Sequence, residues 1–311
     1  MSVHWVPLTA DNLSLCARLW SDRQAYTARE FAQAMAVTAS LLQQRRAFGA
    51  LIFENATVRS FGVSAFVDEE PIDRLLEDGH PQIGKRLLLA TDSTPESRVI
   101  LERRQIAEGN ANRGLNLMVL NANLDDNASD IASVFGLTIS CFHDVHRGYR
   151  LARIISEVHG DSSIGIVVRS GAYEIRRHHS DVGGVAGLSS VVGTLTREQA
   201  TAWSNPLLTM FVYEPPLIAF TEPEQQLLRT ALSGAPDAVV AEQLRIPVTA
   251  VKARWSRILQ RALDAVPAAF PPYASHNGTR RGAQQRHVIL EYVRNHPSEL
   301  TPYPSSRRGR V

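Results

Sequence analysis

Ala50-Leu-Ile-Phe53 and Val58-Arg-Ser-Phe-Gly-Val-Ser-Ala-Phe-Val67 are β-rich runs joined by the short polar stretch Glu54-Asn-Ala-Thr57. Two such runs on either side of a short connection read as a hairpin, and the hairpin founds a sheet. On its N-terminal side, Asp11 to Trp20 and Thr27 to Ala47 read as amphipathic helices, the second with Phe31, Met35, Thr38 and Leu42 at three-to-four-residue spacing. On its C-terminal side, Pro71 to Leu76, Gln82 to Ala90 and Glu96 to Glu108 read as helices, the last stopped by Gly109-Asn110. Leu115 to Leu120 reads as a buried strand, Asp126 to Phe142 and Val145 to Val158 as helices, and Ile164 to Ser170 as a strand closed by Gly171. This mixed order predicts an α+β fold.

The 311 residues are 44% hydrophobic and 21% charged, as expected of a globular chain of about two domains. Cys16 and Cys141 lie far apart, so neither a disulfide framework nor a four-cysteine zinc site is expected. The first ten residues have no basic start followed by an apolar run, and no stretch is apolar for the length of a membrane span. A cytoplasmic chain without a membrane partner is the expectation. Charge is divided along it: residues 1–242 hold 21 Lys+Arg against 28 Asp+Glu, whereas 243–311 hold 12 against 3. An acidic body with an arginine-rich end suggests a nucleic-acid partner, since guanidinium groups bind phosphate and guanine edges bidentately.

Asp181 to Gly193 is rich in Gly, Ser and Val but lacks the spacing of a nucleotide-binding loop. Glu214-Pro215-Pro216 can neither continue a helix nor donate to a sheet, which marks a boundary. The expected organisation is an α+β sensory domain over 1–213, a linker over 214–219, an all-α helix-turn-helix over 220–266, and a basic extension over 267–311. That extension is expected to hold one short helix, Gln284 to Asn295, and a disordered tail.

Thr221 and Glu224 have the spacing of a capping box, with Pro223 in the first turn and Leu227, Leu228, Ala231 and Leu232 on one face. A second helix is expected from Asp237 to Leu244, a turn at Arg245-Ile246-Pro247, and a third helix from Val248 to Leu263. Val251, Trp255, Ile258, Leu259 and Ala262 form the apolar face of that third helix, while Lys252, Arg254, Arg257 and Arg261 stand elsewhere on it. Three short helices with a tight final turn are the helix-turn-helix pattern, and a cationic last helix suits a major groove.

Thr221, Glu224, Leu228, Gly234, Ala241, Leu244, Ile246, Val251, Lys252 and Ile258 give the segment a pattern that resembles the LuxR-type helix-turn-helix regulators. The resemblance implies a DNA-binding transcription regulator that works as a dimer and is not an enzyme. It implies DNA contacts from Thr249, Lys252, Ala253, Arg254, Ser256, Arg257 and Arg261, with Arg280 and Arg281 reaching DNA from the extension. Double-stranded DNA is then the partner, with RNA polymerase and a small-molecule effector as further candidates and no cofactor required.

The N-terminal domain carries weaker signals. Cys141, His143, Asp144 and His146 invite a metal reading, but no second matched ligand pair accompanies them, and none is assigned. No GxSxG occurs, and no carboxylate pair stands out. The hairpin, the strand Leu115 to Leu120, and Arg147-Gly148-Tyr149-Arg150 read as opening a helix resemble the GNAT acyltransferase arrangement. There the helix N-terminus receives the pyrophosphate of coenzyme A on its amides. That resemblance implies, as alternatives to the regulator, an acyltransferase or a degenerate acyl-CoA-binding protein. A protein-interaction or non-specific DNA-binding module is the third possibility.

Overall fold

A computed structural model describes residues 2–90, 95–159, 173–178, 189–202, 205–270 and 278–304. It is a mixed α/β structure built on a seven-stranded sheet. The chain divides into two compact units, the first being Met1–Ile106, Arg113–Arg147 and Leu151–Val212, the second Ala107–Asn112, Gly148–Arg150 and Tyr213–Val311.

The hairpin forms as expected: β2 is Ala47–Glu54 and β3 is Thr57–Val67, and Asn55 turns the chain at φ 55°. An extra strand, β1 (Val3–Pro7), pairs antiparallel with β2. On the other side β3 pairs antiparallel with β4 (Leu115–Leu124), and β4 pairs parallel with β5 (Leu151–His159). The sheet closes with β6 (Tyr173–His178) and β7 (Ser190–Thr196) in the order β1-β2-β3-β4-β5-β7-β6. All pairings except β4 with β5 are antiparallel.

Three sequence expectations need correction. Val145 to Val158 is not a helix: helix α5 ends at His146 and the chain enters β5 at Leu151. Leu151, Ile154, Ile155 and Val158 imitate a helical period because β5 is buried on both faces and lacks alternation. For the same reason Arg147-Gly148-Tyr149-Arg150 connects a helix to a strand and opens no helix. Glu96 to Glu108 is broken into a 3-10 turn, Pro95–Arg98, and helix α4, Arg103–Ala111, because Ile100 bridges to Val67. The run Ile164 to Ser170 and most of the Gly-rich stretch lie outside the described residues.

Helices cover both faces of the sheet in the first unit. On one face α1 (Ala28–Gln43), α2 (Glu69–Glu77) and α3 (Ile83–Leu89) enclose a core that includes Leu51, Phe61, Val63, Ile72, Leu88, Met118 and Ile155. A capping box formed by Thr27 and Glu30 starts α1. On the other face lies α5 (Ile131–His146), packed on Ala50 and Ile52 of β2 through Val134 and Cys141. A short helix, α6 (Arg197–Ala202), follows β7.

Gly84 fixes how closely α3 approaches the sheet, because a Cβ there would lie 2.1 Å from the carbonyl oxygen of Leu120 on β4. Gly84→Ala would raise helix propensity by about 0.5–1 kcal/mol at a site with room. Here it is expected to destabilise by about 2 kcal/mol through overpacking. Urea unfolding decides the sign, and a stabilised variant would show that α3 is not seated on β4.

The second unit holds α7 (Glu222–Ala231), α8 (Asp237–Leu244), α9 (Val248–Ala265) and α10 (Gly278–Asn295), with no strand among its described residues. Leu227, Leu228, Val240, Val251, Trp255, Ile258, Ile289 and Val293 share its core. The buried Glu299 carboxylate accepts the amides of Leu217, Ile218 and Ala219 at 2.8–2.9 Å, tying the proline-rich approach to the end of the unit.

Candidate active site

The parallel pair β4 and β5 runs in register only from Leu115 opposite Leu151 to Val119 opposite Ser156. Beyond that point β4 stays with β3 and β5 stays with β7, so a gap opens between their C-terminal ends. The pairing of β3 with β4 skips Leu120, since Val63 faces Asn121 and Ser64 faces Val119. A bulge at the point of parting bends the strand and re-aims its side chains, which is a common use of bulges. The two strands border two different environments here, because successive side chains on each strand face opposite sides of the sheet.

On the α5 side lies an apolar cavity of about 180 Å³. Ala122 and Leu124 of β4, Ser156 and Val158 of β5, and Phe135 and Phe142 of α5 are among its walls. Ser64 and His146 also reach it and contact each other: Ser64 Oγ lies 2.7 Å from His146 Nε2 and 3.3 Å from the carbonyl oxygen of Phe48, and His146 Nδ1 lies 2.6 Å from the carbonyl oxygen of Phe142. Since Nδ1 must donate to a carbonyl, Nε2 accepts from the serine and the ring is neutral. Burial holds its pKa down to about 4.

On the α3 side the same strands present a buried polar cluster. Asn121 Nδ2 donates to Asp22 Oδ1 at 2.9 Å, while Asn121 Oδ1 accepts from the Ser21 amide at 3.1 Å and its hydroxyl at 3.2 Å. Glu157 Oε1 and Oε2 accept the amides of Gln82 and Ile83 at 2.7 and 2.5 Å, at the start of α3. His159 Nε2 is 3.9 Å from Asp22 Oδ2. Burial is the main influence on both carboxyls: Asp22 is pushed up to about 6 against its hydrogen bonds, and Glu157 to about 7, with the charge of Asp22 adding to the rise. His159 is held down to about 4 by burial.

Gln82 Nε2 and His159 Nδ1 are buried without a partner among the described residues. Buried polar atoms are nearly always satisfied, so unpartnered ones beside raised carboxyls mark a place where a polar ligand would be held. None of Asp22, Gln82, Asn121 or Glu157 was singled out by sequence. They come from distant parts of the chain, and the available signal was a lone acid inside the apolar run 154–158.

The other candidate residues are placed as follows. Thr249, Lys252, Ala253, Ser256 and Arg257 are exposed on α9 and Arg254 is half-buried. Arg261 pairs with Glu224 at 3.1 Å, and Arg280 and Arg281 fall in α10. Cys141 and His143 do not join His146: the thiol points to the carbonyl of Thr138 at 3.2 Å, and His143 faces Asp144 at 3.6 Å. No group of three His, Cys, Asp or Glu suited to a metal occurs among the described residues. Burial raises both thiols to about 12, far from a reactive thiolate. No helix among the described residues is long and apolar enough to cross a membrane.

No family model matches the chain, and no curated protein matches it in sequence. Solved structures do match in shape. A polyamine N-acetyltransferase of Drosophila melanogaster aligns with TM-score 0.38 and 10% identity over 63% of this chain and 100% of its own. An N-acetyltransferase of Staphylococcus aureus aligns at 0.38 and 11%, over 63% and 99%. A Desulfovibrio desulfuricans protein, described as a candidate acetyltransferase of the GNAT family, aligns at 0.36 and 12%, over 63% and 99%. These neighbours are acetyltransferases and none of them is a regulator, so the expectation of a DNA-binding transcription regulator without enzymatic activity is not upheld.

Proposed function

We propose that the first unit transfers an acyl group to an amine. The observation that carries this is the parting of β4 and β5 beyond Val119 and Ser156, with an apolar cavity on one face of these strands and a buried carboxyl cluster on the other. The cavity takes the acyl end of a thioester. The carboxyl side takes the amine, which enters as an ammonium and lowers the cost of ionising Asp22 and Glu157. Glu157 accepts one proton of the ammonium, the freed nitrogen attacks the thioester carbonyl, the C–S bond breaks, and the departing thiolate takes the second proton that the nitrogen loses on becoming the amide, leaving as thiol. A base near pH 7 suits this proton transfer.

The test is release of free thiol from acetyl thioesters by the full chain, followed with a thiol reagent across a panel of primary amines. Amine-dependent release is expected, and no release with any amine removes the proposal.

Coenzyme A is the donor that the resemblance to GNAT acyltransferases implies, and its diphosphate would meet the helix that follows β4. That helix is α5, and Glu54 occupies its N-terminus: the carboxylate accepts the Ser129 and Asp130 amides at 3.3 and 3.1 Å and the Ser129 hydroxyl at 2.5 Å. A carboxylate in this place does not fit a diphosphate.

For the second unit we infer that α7, α8 and α9 make a helix-turn-helix, supported by the tight turn at Arg245, which adopts φ 53° between α8 and α9.

A further inference from the structure

We infer that Glu54 sets the choice of acyl donor, closing the N-terminus of α5 to phosphate so that the chain takes an uncharged thioester and discriminates against acyl-coenzyme A. The inference rests on the acyl-transfer reading.

A helix N-terminus ordinarily offers unpaired amides and a positive dipole end to an anion. In this chain carboxylates occupy the approach to that end, the segment from Asp125 to the N-cap Asp130. Asn127 N–H goes to Asp125 Oδ1 at 3.0 Å, Ala128 N–H to the Asp125 carbonyl at 3.0 Å, and Ser129 and Asp130 N–H to Glu54. Every amide from Asn127 to Asp130 therefore has an acceptor supplied by the chain itself. The Asp130 side chain in turn accepts the Ser133 amide at 3.1 Å.

The cations at this end are used as well. Arg59 pairs with Glu54 at 3.1 Å and with Asp125 at 3.0 Å, and Arg18 pairs with Asp125 at 3.3 Å. Glu54 is buried at 3% exposure. Its hydrogen bond from Ser129 is the largest influence on it and holds its carboxyl down to about 2. It is a fixed negative charge at any working pH. A diphosphate would have to displace this carboxylate and then lie among Asp125, Asp126 and Asp130 with no free cation from Arg18 or Arg59. A neutral donor meets none of these charges.

The experiment is calorimetric binding of pantetheine and of coenzyme A to the full chain, with thiol release from acetyl-pantetheine and acetyl-coenzyme A run in parallel. Wild type is expected to bind pantetheine at least tenfold more tightly than coenzyme A, about 1.4 kcal/mol. Glu54→Gln, which keeps the shape and removes the charge, and Glu54→Ala are each expected to narrow that ratio several-fold by gaining coenzyme A affinity. Equal binding of the two ligands by wild type, with transfer intact, overturns the inference and leaves the acyl-transfer reading standing. An unchanged ratio in both folded variants overturns the role of Glu54. Failure of wild type to bind either ligand or to release thiol from either thioester overturns the acyl-transfer reading, and the inference with it.

Discussion

Glu157→Gln is expected to slow acyl transfer by about 10²- to 10⁴-fold, the range over which a positioned general base acts. The amide keeps an oxygen for one of the two N–H groups at the start of α3 but cannot take a proton from the ammonium. The loss should fall on kcat more than on KM, because Asp22 still faces the amine. In wild type kcat/KM, which reports the free protein, should climb about tenfold per pH unit below about 7 and level off above it, following the raised carboxyl. In the variant that inflection should vanish. A folded Glu157→Gln protein that keeps both wild-type kcat and the inflection would remove Glu157 from the chemistry, leaving Asp22, with its own raised carboxyl at about 6, as the base to examine.

What the sequence made legible is local. The hairpin β2–β3 and the core of β4 could be read because their β-branched runs are bounded by turn residues, and the capped α7 because Thr221 and Glu224 carry their own signal. The edge strand β1 was missed since five residues ending in Pro7 give too short an alternation. The central strand β5 was misread because burial on both faces removes the period on which strand assignment relies. That error hid the site, since the gap is defined by where β5 leaves β4. It also placed a helix start at Arg147, where the chain enters a strand, and drew attention away from the carboxylates at the start of α5. The basic α9 was plain in the sequence because charge is additive along a chain. A site made of Asp22, Gln82, Asn121 and Glu157 has no such local signature, as only tertiary structure brings those residues together and only burial shifts their carboxyls.

The second large effect is on stability against pH, and it tests the same carboxyl without a substrate. Folded Glu157 keeps its proton up to about pH 7, whereas in the unfolded chain it ionises near its ordinary 4.5. Between those values the folded state binds a proton that the unfolded state lacks, so this group's contribution is complete below pH 4.5 and is lost as pH rises through 7. At about 1.4 kcal/mol per pH unit the loss is about 3 kcal/mol. Asp22 has the same sign, between 3.8 and about 6. His146 and His159 act oppositely: buried neutral with pKa near 4 against an ordinary 6.5, they contribute fully above 6.5 and lose that contribution as pH falls through 4. The two pairs offset each other over much of the range from 4 to 6.5, so the wild-type curve alone is expected to be nearly flat there. The difference between Glu157→Gln and wild type isolates one term. Whatever its offset from the lost hydrogen bond, the variant's urea-derived unfolding free energy should rise relative to wild type by about 3 kcal/mol between pH 4.5 and 7.5, since only wild type carries the falling contribution. A pH-independent difference would mean that Glu157 ionises normally in the fold, and a carboxylate already ionised at pH 5 could not produce a rate inflection near 7.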